Sequence, residues 1–296
     1  MANRTKVTFT ILFFYLTFFL TIAFAQNGER GNQFRVMTYN IRYAGDEKVD
    51  GINAWSKRKD LVASMISFNH AEIVGVQEAL LPQLNDLTDL LDGYSWFGVG
   101  RNDGIDKGEF SAILFKVDRF KLFEQSTFWL SETPDVPSKG WDAAFPRIVT
   151  WGKLRDLKTQ KDFYIFNTHY DHIGETARNN SSKLLMKRIS EIAQGFPVIV
   201  MGDFNTQDST LAYQIITNTE SNSTILFDAQ FTNKTTHHGS HISFNGFGQS
   251  IEPDNKIDFI FTTSDIEVLQ HGVIDEMVDG RYPSDHMPVV AEVLFK

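Results

Sequence analysis

The sequence predicts a layered α/β domain with much antiparallel strand pairing. Two observations carry this. Short apolar runs rich in β-branched and aromatic residues outnumber the segments with helical spacing, and those helical segments fall between strands. No repeat, heptad pattern or low-complexity linker divides the 296-residue chain, so residues 34–296 read as a single domain. Hydrophobic residues make up 42%, enough for a sizeable core.

Residues 1–25 stand apart. Arg4 and Lys6 precede an apolar stretch from Val7 to Ala25 that ends in Ala23-Phe24-Ala25. A basic start, an apolar middle and a small-x-small end predict a secretory signal peptide cleaved after Ala25. The alternative is an uncleaved anchor, which four threonines and the Ala-Phe-Ala end disfavour. Residues 26–33 then form a polar leader. The expected mature protein is exported, periplasmic or secreted, a monomer, and without stable membrane insertion. Loss of Arg4 and Lys6 moves the net charge from −9 to about −11, opposite to the basic surface that long nucleic acids demand. Divalent cations can still turn an acidic site toward phosphate. With no cysteine, there are no disulfides and no thiolate nucleophile.

The elements follow in order. Phe34–Ile41 is strand-like, with Asn40 near its end. Residues 55–68 carry helical spacing at Leu61, Val62, Met65 and Ile66. Ile73–Val76 is a short buried strand running into Gln77-Glu78. A helix follows with Leu84, Leu87, Leu90 and Leu91 on its inner face. Arg101 lies in a turn-prone stretch, and Glu109 leads the strand Ser111–Phe115. Phe128–Leu130 and Arg147–Leu154 are strands separated by a loop bearing Pro and Gly. Phe163–Phe166 leads into Asn167-Thr168-His169-Tyr170-Asp171-His172, and a long helix spans roughly residues 175–193. Pro197–Met201 is a buried strand opening into Gly202-Asp203-Phe204-Asn205. Residues 218–250, rich in Asn, Ser, Thr, His and Gly, read as loops. Ile257–Thr262 and Met287–Phe295 are the last strands.

Six of these apolar strands begin or end in groups suited to metal or phosphate chemistry: Asn40, Glu78, His169, Asp203 with Asn205, Asp258, and Asp285 with His286. Any one of them is ordinary; an Asx-turn would explain Asp203 alone. Together they predict a single rim of loops. Hard oxygen donors with few imidazoles suit Mg²⁺ or Mn²⁺ better than Zn²⁺.

The runs Met37-Thr38-Tyr39-Asn40-Ile41, Val76-Gln77-Glu78, Asn167-Thr168-His169, Gly202-Asp203-Phe204-Asn205, Ile257-Asp258-Phe259-Ile260 and Ser284-Asp285-His286-Met287-Pro288 resemble, in order, the motifs of the endonuclease/exonuclease/phosphatase superfamily. Gly108–Ser111 and Phe128–Pro134 resemble an exported bacterial branch with deadenylase-like relatives. The resemblance implies an α/β fold, the four-layer α/β/β/α sandwich of the DNase I-like type. It also implies a metal-dependent phosphoesterase acting by direct water attack. Glu78 would be the main metal ligand, with Asn40 and Asp285 completing or bordering its shell. Asp203 would position and deprotonate water, and Asn205 would donate to the phosphoryl oxygen. His286 paired with Asp258, and His169 paired with Glu109, would donate to the phosphate. Phosphodiester hydrolysis, including nucleic acid, is the leading substrate class implied; small esters such as sugar or inositol phosphates are the alternative. A catalytically idle binding protein is the reading from another class, against which the intact set of acids, amides and imidazoles argues.

Arg101 and Arg147 are candidate phosphate clamps, with a surface salt bridge as the alternative. Asp171 either faces the same rim or caps the following helix. Trp129 and Trp141 either stack on substrate or anchor the structure. His237-His238-Gly239-Ser240-His241 has zinc-like composition but no fixed fourth ligand, and reads as a solvated loop.

Overall fold

The computed structural model describes residues 31–253 and 255–296, and Phe34–Lys296 make up one compact unit. The expected signal peptide and most of the polar leader lie outside the described residues. No helix among the described residues is long and apolar enough to cross a membrane.

The strands sort into two sheets. The first has the order β10 (His238–Gly239), β12 (Ile266–Val273), β13 (Val289–Phe295), β1 (Phe34–Asn40), β2 (Ile73–Gln77), β4 (Ile113–Lys116), β3 (Tyr94–Phe97). The second runs β5 (Phe120–Trp129), β6 (Ile148–Asp156), β7 (Asp162–His169), β8 (Val198–Asp203), β11 (Asp258–Thr262), β9 (Phe227–Asp228). β2 and β8 are buried at every position, as near-continuous apolar runs covered on both faces should be. Parallel pairing occurs between β1 and β2 and between β7 and β8. Each of those pairs is joined by a crossover carrying a helix, α1 (Lys59–Phe68) or α3 (Glu175–Ala193).

Three apolar clusters show the layering. One lies between the sheets, where Phe34, Ile73 and Val289 meet Phe163, Ile199 and Met201. A second joins the outer face of the first sheet to α1 and α2 (Leu81–Leu90) through Val74, Val62, Ile66, Leu84 and Leu87. The third joins the outer face of the second sheet to α3 through Val200, Leu185 and Ile189. The architecture is the α/β/β/α sandwich.

The sequence misjudged several elements. β5 is ten residues long, because its outer half is an exposed edge without a continuous apolar run. β3 and β12 went unread; half-exposed alternation hides both. The helix expected over 55–68 is a 3₁₀ turn at Trp55–Lys57 followed by α1. Residues 218–250 do contain the short pieces β9 and β10.

Strand register places the chemistry. In the second sheet His169 lies opposite Asp203, and Asp203 lies opposite Asp258, so three residues far apart in sequence form one row across β7, β8 and β11. In the first sheet Asn40 lies opposite Gln77, immediately before Glu78. A polar plug joins the sheets below the rim. Gln77 Nε2 donates to Asn167 Oδ1 (2.6 Å) and Thr38 Oγ1 (3.0 Å), and Asn167 Nδ2 donates to Ala112 O (2.8 Å) and Val76 O (3.0 Å). Gly75 leaves room for it. A Cβ there would sit 2.6 Å from Met201 Cε and 2.8 Å from Asn167 Oδ1. Gly75→Ala is therefore expected to destabilise the fold by about 1–3 kcal/mol, read as a lower Tm. A Tm within a degree of wild type would mean that the plug can shift freely.

Candidate active site

The rim opens into a cavity of about 510 Å³. His169 and Asp203 of the row just described line it, together with His286. Asp203, 1% exposed, accepts from Asn40 Nδ2 at 2.9 Å and from its neighbour's backbone, Asn205 N, at 2.9 Å. His169 Nε2 and His286 Nε2 stand 3.5 and 3.7 Å from Asp203 Oδ2. His286 Nδ1 meets Asp258 Oδ2 at 2.9 Å. Asn205 occupies a left-handed conformation (φ 46°). That geometry sends one amide N–H to Tyr170 O (3.0 Å), while the residue lines the cavity.

The two imidazoles differ in charge because their neighbours differ. Burial opposes protonation of His286, but Asp258 and Asp203 outweigh it and push its pKa up to about 10. His169 is held well below the ordinary value by burial, then by Arg147 and Arg101. One is an imidazolium and the other a neutral ring at neutral pH. Burial, then Asp258, pushes Asp203 up to about 7.

Opposite the row stand Glu78 and Asp285. Glu78 terminates β2 in a left-handed conformation (φ 61°), the kind of local strain that collects at working sites. It accepts from Tyr43 N (3.1 Å) and Asn40 Nδ2 (3.1 Å). Arg42, also left-handed at φ 57°, spans both carboxylates, 3.5 Å from Glu78 and 3.8 Å from Asp285. Arg58 holds that turn by donating to Arg42 O (2.6 Å) and to Ile41 O. Arg42 offsets the charge of the two carboxylates, and as hard oxygen donors they are of the type that Mg²⁺ or Mn²⁺ takes. Asp203, Asp258 and His286 also bring ligand atoms within 4.8 Å of one another. There the His286–Asp258 hydrogen bond keeps a proton where a metal would need a lone pair, so Glu78 and Asp285 are the better-suited pair of donors.

One expected pairing needs correction, and two open alternatives resolve. Asn40 offers its amide nitrogen to Glu78 and Asp203, while its oxygen accepts from Arg42 N (3.0 Å); of completing or bordering the Glu78 shell, it does the second. Glu109 lies 3.9 Å from His169 Nδ1, too far for a hydrogen bond. Arg101 grips both its oxygens instead, at 2.6 and 2.8 Å. Asp171 is absent from the cavity wall. It accepts from the backbone N–H groups of Ala144, Ile173 and Gly174 and from Arg147 Nε, and these partners lower its pKa to about 2 against the opposing effect of burial.

Arg101 and Arg147 both line the cavity, buried, each with a guanidinium nitrogen that has no protein partner: Nε of Arg101 and Nη1 of Arg147. Trp129 is a buried anchor whose Nε1 donates to Arg101 O (2.7 Å). His237 leaves the solvated-loop reading in part, bonding His271 Nδ1 of β12 at 3.0 Å. Sequence reasoning missed Arg42, Tyr43, Phe145, His172 and Phe244 in the wall. Adjacency to Asn40, Arg147 and His169 was the available signal.

Residues 37–286 match the profile of the Endonuclease/Exonuclease/phosphatase family. An endonuclease/exonuclease/phosphatase family protein from Bacteroides thetaiotaomicron superposes with TM-score 0.84 at 37% identity, covering 89% of this chain and 98% of that one. A mannosyl-6-phosphatase from the same species gives TM-score 0.82 at 38% identity, covering 88% and 100%. An uncharacterised protein of Acanthamoeba polyphaga mimivirus is 28% identical over 284 residues, 86% of this chain and 98% of the viral one. With the ordered motifs, the sandwich and the rim residues all in place, the chain belongs to the endonuclease/exonuclease/phosphatase family, a family of phosphoesterase hydrolases.

Proposed function

We propose that this protein is an exported, divalent-metal-dependent phosphatase of small phosphate monoesters that attacks phosphorus directly with water. The observation that carries the reading is the polarity of the cavity. Asp203 and His286, the latter backed by Asp258, line one side of it together with Glu78 and Asp285. On the other stand the guanidinium groups of Arg101 and Arg147, which bring positive charge to its wall. That charge suits a terminal phosphoryl group. The confined cavity and the acidic mature chain favour a small ester over a nucleic-acid diester, and the 38%-identical mannosyl-6-phosphatase supports the same choice.

Each residue then has a task. Asp203, steadied by Asn40 and the Asn205 amide, orients the water and takes its proton. His286, charged because Asp258 stands behind it, donates to the phosphoryl oxygens as negative charge builds. Asn205 and neutral His169 add donors, and Arg101 and Arg147 add positive charge to the wall beside the phosphoryl group. A divalent cation at Glu78 and Asp285 would supply charge neutralisation for the phosphoryl and leaving oxygens.

The substrate class is tested, with Mn²⁺ or Mg²⁺, by phosphate release from mannose 6-phosphate and glycerol 3-phosphate, nitrophenol release from bis-p-nitrophenyl phosphate and shortening of single-stranded RNA. Monoesters are expected to be cleaved with at least about tenfold higher kcat/KM, a margin within reach of pocket recognition. Higher kcat/KM for either diester would overturn the monoester reading, and full activity in EDTA would overturn the metal.

The chemistry is tested by pH. Asp203 must be ionised and His286 protonated, so kcat/KM should rise through about pH 7 and fall through about pH 10. Asp258→Asn removes the charge that raises both groups, so both limbs should move to lower pH. Asp203→Asn should lower kcat by about two to four powers of ten with little change in KM. An unmoved alkaline limb in Asp258→Asn, or a pure KM effect in Asp203→Asn, contradicts these roles.

Export rests on the N-terminal pattern. Mass analysis of secreted or periplasmic protein should find Gln26 at the N-terminus; a full-length, membrane-retained chain would favour the anchor.

A further inference from the structure

The cavity has a wall that the chemistry above does not use. The rings of Phe145 and His172 lie nearly parallel, 14° apart with centroids separated by 6.1 Å. Phe145 is 49% exposed, a large apolar face left in water at the mouth of a charged cavity. Its other support is Arg101, whose guanidinium carbon lies 5.2 Å from the ring centroid. Arg147 Nη2 lies 2.9 Å from His172 Nδ1. A guanidinium can only donate, so Nδ1 accepts and the neutral ring carries its proton on Nε2.

The wall is held from behind. Asp171 Oδ2 accepts from Ala144 N at 3.0 Å, from Phe145 N at 3.4 Å and from Arg147 Nε at 3.3 Å. Its Oδ1 accepts from Ile173 N and Gly174 N at 3.0 and 2.9 Å, fixing the turn that carries His172. One buried carboxylate therefore sets both rings, and the same two arginines that face the phosphoryl position touch them. Side chains ordered this way cost little further entropy when a ligand arrives.

We propose that Phe145 and His172 form a subsite for the alcohol half of the substrate, and that it selects a single hydroxylated ring, the ring of a cyclic sugar phosphate. A pyranose has an apolar C–H face and a rim of hydroxyls. Phe145 supplies the matching face, and His172 Nε2–H supplies a donor beside it. Asp171 is the positioning residue for both. The inference rests on the phosphatase reading and deepens it.

The test compares mannose 6-phosphate, acyclic glycerol 3-phosphate and adenosine 5′-monophosphate on the Mn²⁺-supplied wild type and on Phe145→Ala, Phe145→Tyr and His172→Ala. Both side chains are exposed, and thermal melts check that the variants fold. In Phe145→Ala the ratio of kcat/KM for the hexose phosphate over glycerol 3-phosphate should drop by at least about tenfold, the scale of a pocket contact, and the drop should lie in KM. Phe145→Tyr, which keeps the ring face, should restore it. Losses shared equally by ring and acyclic esters would overturn the subsite, as would a larger loss for adenosine 5′-monophosphate, which would make the wall a base platform. If the wild type cleaves no phosphate ester, the phosphatase reading falls. Calorimetric binding of mannose 6-phosphate to wild type and Phe145→Ala then decides the subsite, weaker binding by the variant supporting it and equal or absent binding overturning it.

Discussion

The side chain of Asn40 is the constraint on which the site depends. Its amide nitrogen has two hydrogens and gives one to Glu78, at the end of the first sheet, and one to Asp203, at the end of the second. Its oxygen accepts from Arg42 N, and its backbone oxygen accepts from Ser284 Oγ at 2.7 Å, next to Asp285 and His286. Every polar atom of a fully buried carboxamide is thereby satisfied. Replacing it would leave the buried Asp203 and the half-buried Glu78 each short of a donor, a costly change at Asp203. The Glu78 half of the site and its Asp203 half are thus tied together by one residue at the end of a buried strand. The Gln77–Asn167 plug fixes the same sheet-to-sheet spacing one layer below.

Charge is sorted across the cavity by the same geometry. Asp258 and Asp203 surround His286, whereas Arg147 and Arg101 surround His169. Two identical side chains at one rim therefore carry opposite protonation states without any difference in burial. Asp203 Oδ2 lies 3.5 Å from the neutral ring and 3.7 Å from the charged one, so one carboxylate faces two imidazoles of different charge.

Much of this was legible in the sequence because it sits on strands. Apolar runs mark β1, β2, β7, β8 and β11, and the polar residue at each end is the one that reaches the rim. The layered fold and the long helix were legible for the same reason. Pairings were not. The Glu109–His169 expectation failed because the Arg101 turn folds back on Glu109, a contact that neither residue's sequence environment signals. Asp171 had two readings, rim residue or helix cap, and its oxygens go to backbone N–H groups just before the long helix and to a second loop, which only the fold brings together. Arg42 was invisible since its role comes from a left-handed backbone that Arg58 holds across the turn.

The division between strand and loop is also a division of labour. Asn40, Glu78, His169, Asp203 and Asp258 lie at the ends of elements whose positions are fixed by three apolar clusters, so their geometry comes with the fold. Phe145, Arg147 and His172 lie at or beyond strand boundaries and share a single anchor, Asp171. Substitution of the exposed rings would leave the row of His169, Asp203 and Asp258 untouched, because no backbone hydrogen bond of that row passes through them. Substitution of Asp171 would disturb both rings and Arg147 together. A scaffold arranged this way can keep one reaction while its loops change the alcohol they admit, which is how a family sharing one fold comes to act on different esters.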